Sequence, residues 1–176
     1  MSGRRLETMA LAGTRRLGSN DWGGKEKEEQ EFVVREIVNT LEEYTANEHI
    51  QCSDVETIRA GQLEHLRTTI TAELSIPPID AAHALHPTPA VGGVPKHDAL
   101  DFIRSQERLD RSLYSGFLGV VDPHQTCLYV NLRCMSIQND KLSVFVGGGI
   151  TDKSDPQNEW EEVLQKANTM GRILTS

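Results

Sequence analysis

Four groups of residues have the types and spacing of working chemistry. Glu26 and Glu29 lie three apart, and Glu159 and Glu162 repeat that spacing near the other end of the chain. On a helix, residues at i and i+3 share a face, so each pair would bring two carboxylates to one point. Mg²⁺ takes oxygen ligands in octahedral geometry and keeps several waters, using one or two direct carboxylates. Two helices, each offering one direct and one water-mediated carboxylate, would suit it. The same faces are also what an ordinary solvated acidic helix presents. Gly147-Gly148-Gly149 leaves an apolar run; without Cβ atoms its backbone N–H groups can approach an anion closely. Neither a G-x-G-x-x-G nor a Gly-Lys-Ser/Thr pattern is present, and a bend after a strand explains the glycines as well. Arg133, in step with Asn131 in a strand-like run, calls for a carboxylate, whether of the protein or of a substrate; Lys166 lies on the same closing stretch as Glu162. Last, His86-Pro87-Thr88-Pro89-Ala90-Val91-Gly92-Gly93 is a stiff loop.

The elements that must position these groups follow from periodicity. Residues 6–12 read as a short strand and 20–24 as a loop from Asn20. Residues 25–44 read as a helix whose Phe32, Val33, Ile37, Val38, Leu41 and Tyr44 recur at three- and four-residue spacing and form a buried face. Residues 55–60 and 66–74 read as strands, the second carrying Thr68-Thr69-Ile70-Thr71. A short helix over 79–85, the loop over 86–95 and a helix over 96–108 follow, the last with Ala99, Leu100, Phe102 and Ile103 inward. Residues 113–121, 127–137 and 142–146 read as strands of an antiparallel meander, separated by Asp122-Pro123-His124 and Asn139-Asp140. The final helix starts with Asp155 as N-cap and Pro156 in its first turn and runs to about residue 174. Grouped strands and helices predict an α+β fold, an antiparallel sheet flanked by helices. There is no repeat and no linker, so residues 1–176 read as one unit.

Composition narrows the partners. A chain of 176 residues with 38% hydrophobic and 25% charged residues has the balance of a globular domain with a real core. The formal charge of −8 argues against nucleic acid and anionic membranes. The two basic clusters, Arg4-Arg5 and Arg15-Arg16, are short. Cys52, Cys127 and Cys134 are odd in number and form no C-x-x-C pair, which reads as reduced thiols in a cytoplasmic protein; Cys134 reads as buried. The apolar run Met9-Ala10-Leu11-Ala12 is too short for a secretory signal, and no stretch has the length of a membrane span.

In order, these features resemble one family. His86-Pro87-Thr88-Pro89-Ala90-Val91-Gly92-Gly93 resembles the signature loop of the chorismate-utilising enzymes, which include isochorismate, salicylate, anthranilate and aminodeoxychorismate synthases. Leu11-Ala12-Gly13-Thr14-Arg15 resembles the family's "AGT" turn, and Lys25-Glu26-Lys27-Glu28-Glu29-Gln30 its "KDxxEH" helix start, with Gln30 where His is usual. Asp110 to Gly116 is similar to "RGxYAG", with Ser112 replacing Gly. Gly147 to Ile150, Ser154-Asp155-Pro156 and Glu159 to Lys166 resemble the closing "GAGI…SDP…ExxETxxK", with Val163 replacing Thr. The implied fold is an incomplete chorismate-binding enzyme fold, the C-terminal portion of the family domain.

The resemblance implies Mg²⁺ held directly by Glu29 and Glu162, with Glu26 and Glu159 reaching it through water, and the ion holding the ring carboxylate of chorismate. Gly13 and Thr14 match a substrate-lining turn. Tyr114, Arg133 and the amides of Gly147, Gly148 and Gly149 match the group that grips the enolpyruvyl carboxylate, and Lys166 a further carboxylate contact. Ala90 matches the isochorismate-forming branch, for menaquinone or siderophore synthesis; branches that use ammonia or eliminate pyruvate, such as salicylate and anthranilate synthases, tend to carry Thr or Ser there. The family's Lys base and Glu acid lie upstream of the "AGT" turn. Only twelve residues precede Gly13, and they hold Glu7 and no lysine. The expectation is therefore that no catalytic proton-transfer residue lies in this chain. It would be inactive alone, needing an N-terminal half that another chain could supply, or else be a non-catalytic truncated polypeptide.

Overall fold

The computed structural model describes residues 4–18, 21–45, 49–61 and 63–174. Asn20, the start of the expected loop, lies outside them, and of the two basic clusters the side chains described are those of Arg5 and Arg15. The chain divides into two compact units, residues 1–99 and 100–176, where the sequence reads as one; the division falls within a helix, Lys96–Gln106.

The first unit is a sheet with a helix against it. Strand β1 (Arg4–Arg16) extends beyond the expected 6–12 at both ends and pairs antiparallel with β4 (Leu63–Leu74), with a register shift between Ala12 and Thr14. Along the other edge of β4 lie β2 (Ile50–Cys52), which the sequence did not reveal, and β3 (Glu56–Ala60). Helix α1 (Gly24–Glu42) buries Gln30, which periodicity did not predict, and Val33, Ile37 and Leu41 of the expected stripe. These apolar residues pack with Ala10, Ile70, Ala72 and Leu74 of the sheet. The alternate buried positions along β4 give that strand one core face, as a run of β-branched residues favours. Helix α2 (Pro78–Leu85) adds Ala81 to the same core. The expected loop over 86–95 contains a single turn of helix, α3 (Pro89–Gly92), with proline in its first turn. Helix α4 is Lys96–Gln106.

The second unit holds two antiparallel hairpins, β5 (Phe117–Val121) with β6 (Thr126–Val130) and β7 (Cys134–Gln138) with β8 (Lys141–Phe145), then helix α5 (Pro156–Leu174). The run over 127–137 is therefore two strands, not one, and the hairpins form separate two-stranded sheets rather than a continuous meander. The break falls at residues 131–133. The Asn131 N–H donates to the Gly116 carbonyl and its own carbonyl accepts from the Ser115 N–H, while its side-chain amide donates to the Leu113 carbonyl. Asn131 thus continues the pairing with the end of β5, and the strand ends in the tight turn where the Leu132 N–H donates to the Val130 carbonyl at 3.0 Å. Asp155 caps α5 as its sequence predicts, its carboxylate accepting from the Asn158 N–H at 3.0 Å. Two burial expectations fail: α4 has no buried residue, with Phe102 67% exposed, and Cys134 is half-buried.

Leu41, 1% exposed, should cost about 2–5 kcal/mol when replaced by Ala in equilibrium urea unfolding, whereas Phe102→Ala should stay within about 0.5 kcal/mol. Equal costs would contradict this placement of the core.

Candidate functional site

In the first unit the chemistry gathers where β1 loses register with β4. Gly13 sits at φ +67, a left-handed conformation that costs a side chain little only when there is none, and a Cβ there would lie 2.9 Å from the Glu26 carbonyl oxygen. The turn thus presses against the start of α1. Two side chains hold it. His65, 7% exposed on β4 opposite Thr14, brings its Nδ1 to 3.2 Å from both the Gly13 carbonyl oxygen and Thr14 Oγ1. Since a carbonyl only accepts, that contact requires a protonated Nδ1. Gln30 accepts from the Ala12 N–H and donates to the Ala10 carbonyl and Thr68 Oγ1. Just beyond, Arg15 pairs with Glu64 at 2.8 Å and lies 4.1 Å over the Trp22 ring, whose Nε1 donates to Thr57 Oγ1.

Glu26 and Glu29 occupy the first turns of α1, and Lys25 Nζ lies 3.6 Å from Glu29 Oε1. The signature loop of the same unit packs on the later turns of α1, where Pro87, Pro89 and Gly93 line a small cavity with Glu36, Ile37 and Thr40. Lys96 Nζ donates to the carbonyls of Ala84 and His86 and ties the loop to α4. Burial, then the charges of Lys96 and His83, lower the His86 pKa. Ala90 is exposed on α3. An open cleft of about 510 Å³ between α1 and the β2–β3 side is lined by Val34, Val38, Val55 and Cys52 among others, and contains none of the expected site residues.

In the second unit the glycine run meets both the tyrosine and the carboxylates. A Cβ on Gly147 would stand 2.6 Å from Tyr114 Oη, so the hydroxyl fits only against a glycine. Tyr114 stacks on Phe145, with ring centroids 5.8 Å apart, and its pKa is raised, chiefly by burial. Its loop is held by Arg111, which grips Glu107 through two 2.6 Å bonds and lies 5.8 Å from the Tyr114 ring centroid. Ser112 and Ser115 in that loop adopt positive φ, +47 and +64, which explains why the motif resembled above has Gly at the position of Ser112. A Cβ on Gly148 would lie 3.7 Å from Glu159 Oε2 and equally from Glu162 Oε1, so both carboxylates of α5 reach one glycine. Lys166 Nζ pairs with Glu162 Oε1 at 2.6 Å and donates to the Gly147 carbonyl at 3.1 Å. Arg133 is not in a strand, as alternation had suggested, but in the bend before β7, half-buried. Among the described residues no ion pair to it is recorded.

Within each unit the expected residues therefore fall together: Gly13, Thr14, Glu26 and Glu29 in the first, Tyr114, Gly147, Gly148, Glu159, Glu162 and Lys166 in the second. Ala90 lies apart from them on α3, and among the described residues no contact marks Gly149. Oxygen donors are the right chemistry for Mg²⁺, and Glu159 and Glu162 each bring one to within 3.7 Å of where a Gly148 side chain would start. Among the described residues no three His, Cys, Asp or Glu side chains cluster to hold a metal; each unit offers a pair. His65 was missed in the sequence, because only the long-range pairing Thr14↔His65 brings it to the turn.

The model of one family, described as chorismate binding enzyme, matches residues 1–175. Isochorismate synthase MenF of Pasteurella multocida is 35% identical over 98% of this chain and 43% of its own length. The vibriobactin-specific isochorismate synthase of Vibrio cholerae is 33% identical over 83% of this chain and 38% of its own length. The solved structure of MenF, the menaquinone-specific isochorismate synthase from Escherichia coli, superposes with a TM-score of 0.84 at 28% identity, covering 96% of this chain and 42% of that one. The chain thus spans less than half the length of these relatives, and its mixed helix and antiparallel-sheet fold is part of theirs.

Replacing Ser112 by Gly should raise stability by about 0.5–1 kcal/mol, since the left-handed strain of about 1–2 kcal/mol outweighs the extra chain entropy of glycine; a lower melting temperature would contradict it. The Arg111 hydrogen bonds hold the Glu107 carboxyl below its ordinary 4.5. A lowered folded pKa stabilises above the unfolded value and is lost as pH falls through the folded one. Acid titration of stability from pH 5 downward should therefore be shallower in Glu107→Gln; an unchanged slope would exclude the pair as its source.

Proposed function

The chain belongs to the chorismate-binding enzymes, and on that footing we propose that it is a portion of a Mg²⁺-dependent isochorismate synthase, an isomerase acting in menaquinone or siderophore synthesis. The observation that carries the reading is the convergence, within the second unit, of Tyr114 Oη, Glu159 and Glu162 on Gly147-Gly148, with Arg133 in the same unit and no ion pair to it among the described residues. Such a set suits an anionic ligand held beside a cation.

In the second unit Glu162 would hold magnesium directly and Glu159 through bound water, and in the first unit the matching roles would fall to Glu29 and Glu26. The ion supplies the positive charge that holds the ring carboxylate of chorismate. Gly13 and Thr14 line the ring, with the turn fixed by His65. Arg133, Tyr114 and the amides of Gly147, Gly148 and Gly149 take the enolpyruvyl carboxylate, and Arg suits this because its planar fork meets a carboxylate through two bonds. Lys166, already bonded to Glu162 and Gly147, adds a cation on the same side. Ala90 marks the branch in which water, not ammonia, is the nucleophile. The reaction exchanges one water for another: a base takes a proton from water as it attacks C2, and an acid protonates the C4 hydroxyl as it leaves. The Lys and Glu assigned to those steps by the resemblance are not among residues 1–176, so we assign to this chain binding and orientation. No helix among the described residues is long and apolar enough to cross a membrane, and we place the protein in the cytoplasm, where its free thiols stay reduced.

Product analysis with chorismate, Mg²⁺ and ammonia, in the presence of the upstream portion of a relative, tests the reading. Isochorismate is the expected product; salicylate or anthranilate would move the protein to another branch, and no conversion would favour a non-catalytic polypeptide. Glu162→Gln should weaken magnesium affinity by about 100-fold or more, beyond the 10–100-fold typical of changes to a ligand's neighbours. Unchanged affinity would remove the metal assignment.

A further inference from the structure

Gln30 follows Glu29 directly, yet it is 2% exposed, among the most buried side chains of the described residues. Its amide is fully used: Oε1 accepts from the Ala12 N–H at 3.0 Å, and Nε2 donates to the Ala10 carbonyl at 3.1 Å and to Thr68 Oγ1 at 3.0 Å. Ala10 and Ala12 flank Leu11 and lead straight into Gly13-Thr14, at the point where β1 and β4 lose register. The side chain bonds the strand as a neighbouring peptide unit would. We propose that Gln30 is a positioning residue, which locks the strand leading into the Gly13-Thr14 turn onto the helix that carries Glu26 and Glu29. The proposal rests on the assignment of that turn and those carboxylates to the substrate and metal site.

The residue type matters. The motif this helix start resembles has His here. A neutral imidazole has one donor and one acceptor, so it can make at most two of the three bonds seen, whereas the amide makes all three and carries no proton to lose. The clamp also completes a pair, with Gln30 holding the turn from its N-terminal side and His65 holding Gly13 and Thr14 themselves. If Gln30 sets the turn, then disturbing it should move His65.

The experiment compares the full chain with Gln30→Met, Gln30→His and the control Val33→Ala, which cuts into the same buried helix face without touching the clamp. Nitrogen-15 NMR reads the His65 ring and the amides of Ala12, Gly13 and Thr14, and hydrogen exchange reads their protection. In Gln30→Met, exchange at Ala12 should quicken tenfold or more, by the roughly 1–3 kcal/mol cost of an unmet buried partner. The His65 and Gly13-Thr14 signals should shift while those of Ile70 and Leu41 stay. Gln30→His should restore part of that pattern. Changes in Val33→Ala equal to those in Gln30→Met, or still His65 signals in Gln30→Met, would reduce Gln30 to an ordinary core residue and overturn the proposal. Should Gln30→Met fail to fold, Gln30→His decides alone: turn signals that move against a still core support the proposal, and unmoved turn signals refute it. Chorismate titrated with Mg²⁺ into the parent chain separates the two claims, because absence of binding there sinks the functional reading while the NMR comparison stands.

Discussion

Charge compensation governs this molecule. A chain with a formal charge of −8 cannot gather carboxylates and then receive a dianion without a nearby source of positive charge. Each glutamate assigned as a direct ligand has a lysine four residues away on its own helix, Lys25 at 3.6 Å from Glu29 and Lys166 at 2.6 Å from Glu162. The order differs: Glu precedes Lys in the second pair, the orientation that the helix dipole favours, and follows it in the first. The tighter pair is also the one bonded to the glycine run, through the Gly147 carbonyl. A divalent ion at either pair would extend a compensation that each helix already begins.

Positioning comes from places where regular structure is interrupted. The register shift in β1 releases Gly13 into a left-handed turn against α1, where Gln30 bonds the strand before the turn and His65 the Gly13 carbonyl. In the second unit, positive φ at Ser112 and Ser115 and the grip of Arg111 on Glu107 shape the loop that sets Tyr114 against Gly147. The two units are built on different terms. The buried apolar cluster lies in the first, while the β5–β6 hairpin of the second leaves Leu118, Val120 and Tyr129 on one face with more than half of each exposed. A lone two-stranded hairpin is marginal in water.

Much of this was legible in the residues. The helical stripe of α1, the β-branched run of β4 and the Asp155-Pro156 start of α5 each follow from local chemistry, and each formed where that chemistry put it. Local chemistry fell short where distant partners decide. Nothing in the apolar run over 127–137 announces that Asn131 will pair with Gly116 and Ser115 and that Leu132 will then turn back onto Val130, ending the strand and taking Arg133 out of alternation. Phe102 has helical spacing but no described neighbour to cover it, so its periodicity overstated its burial. His65 looked like one more polar residue in a strand until β1 paired with it. Of the candidate site, the motifs identified the glutamates, the glycines and Tyr114; the clamp around the turn needed the fold.

The most direct test of the central claim is the anomalous scattering of Mn²⁺, standing in for Mg²⁺, in crystals of the protein. The account predicts a strong peak bonded to a carboxylate oxygen of Glu29 or of Glu162, with the partner carboxylate of the same helix, Glu26 or Glu159, reached through water. A peak bound by neither glutamate, or no peak with the ion in excess, would contradict it.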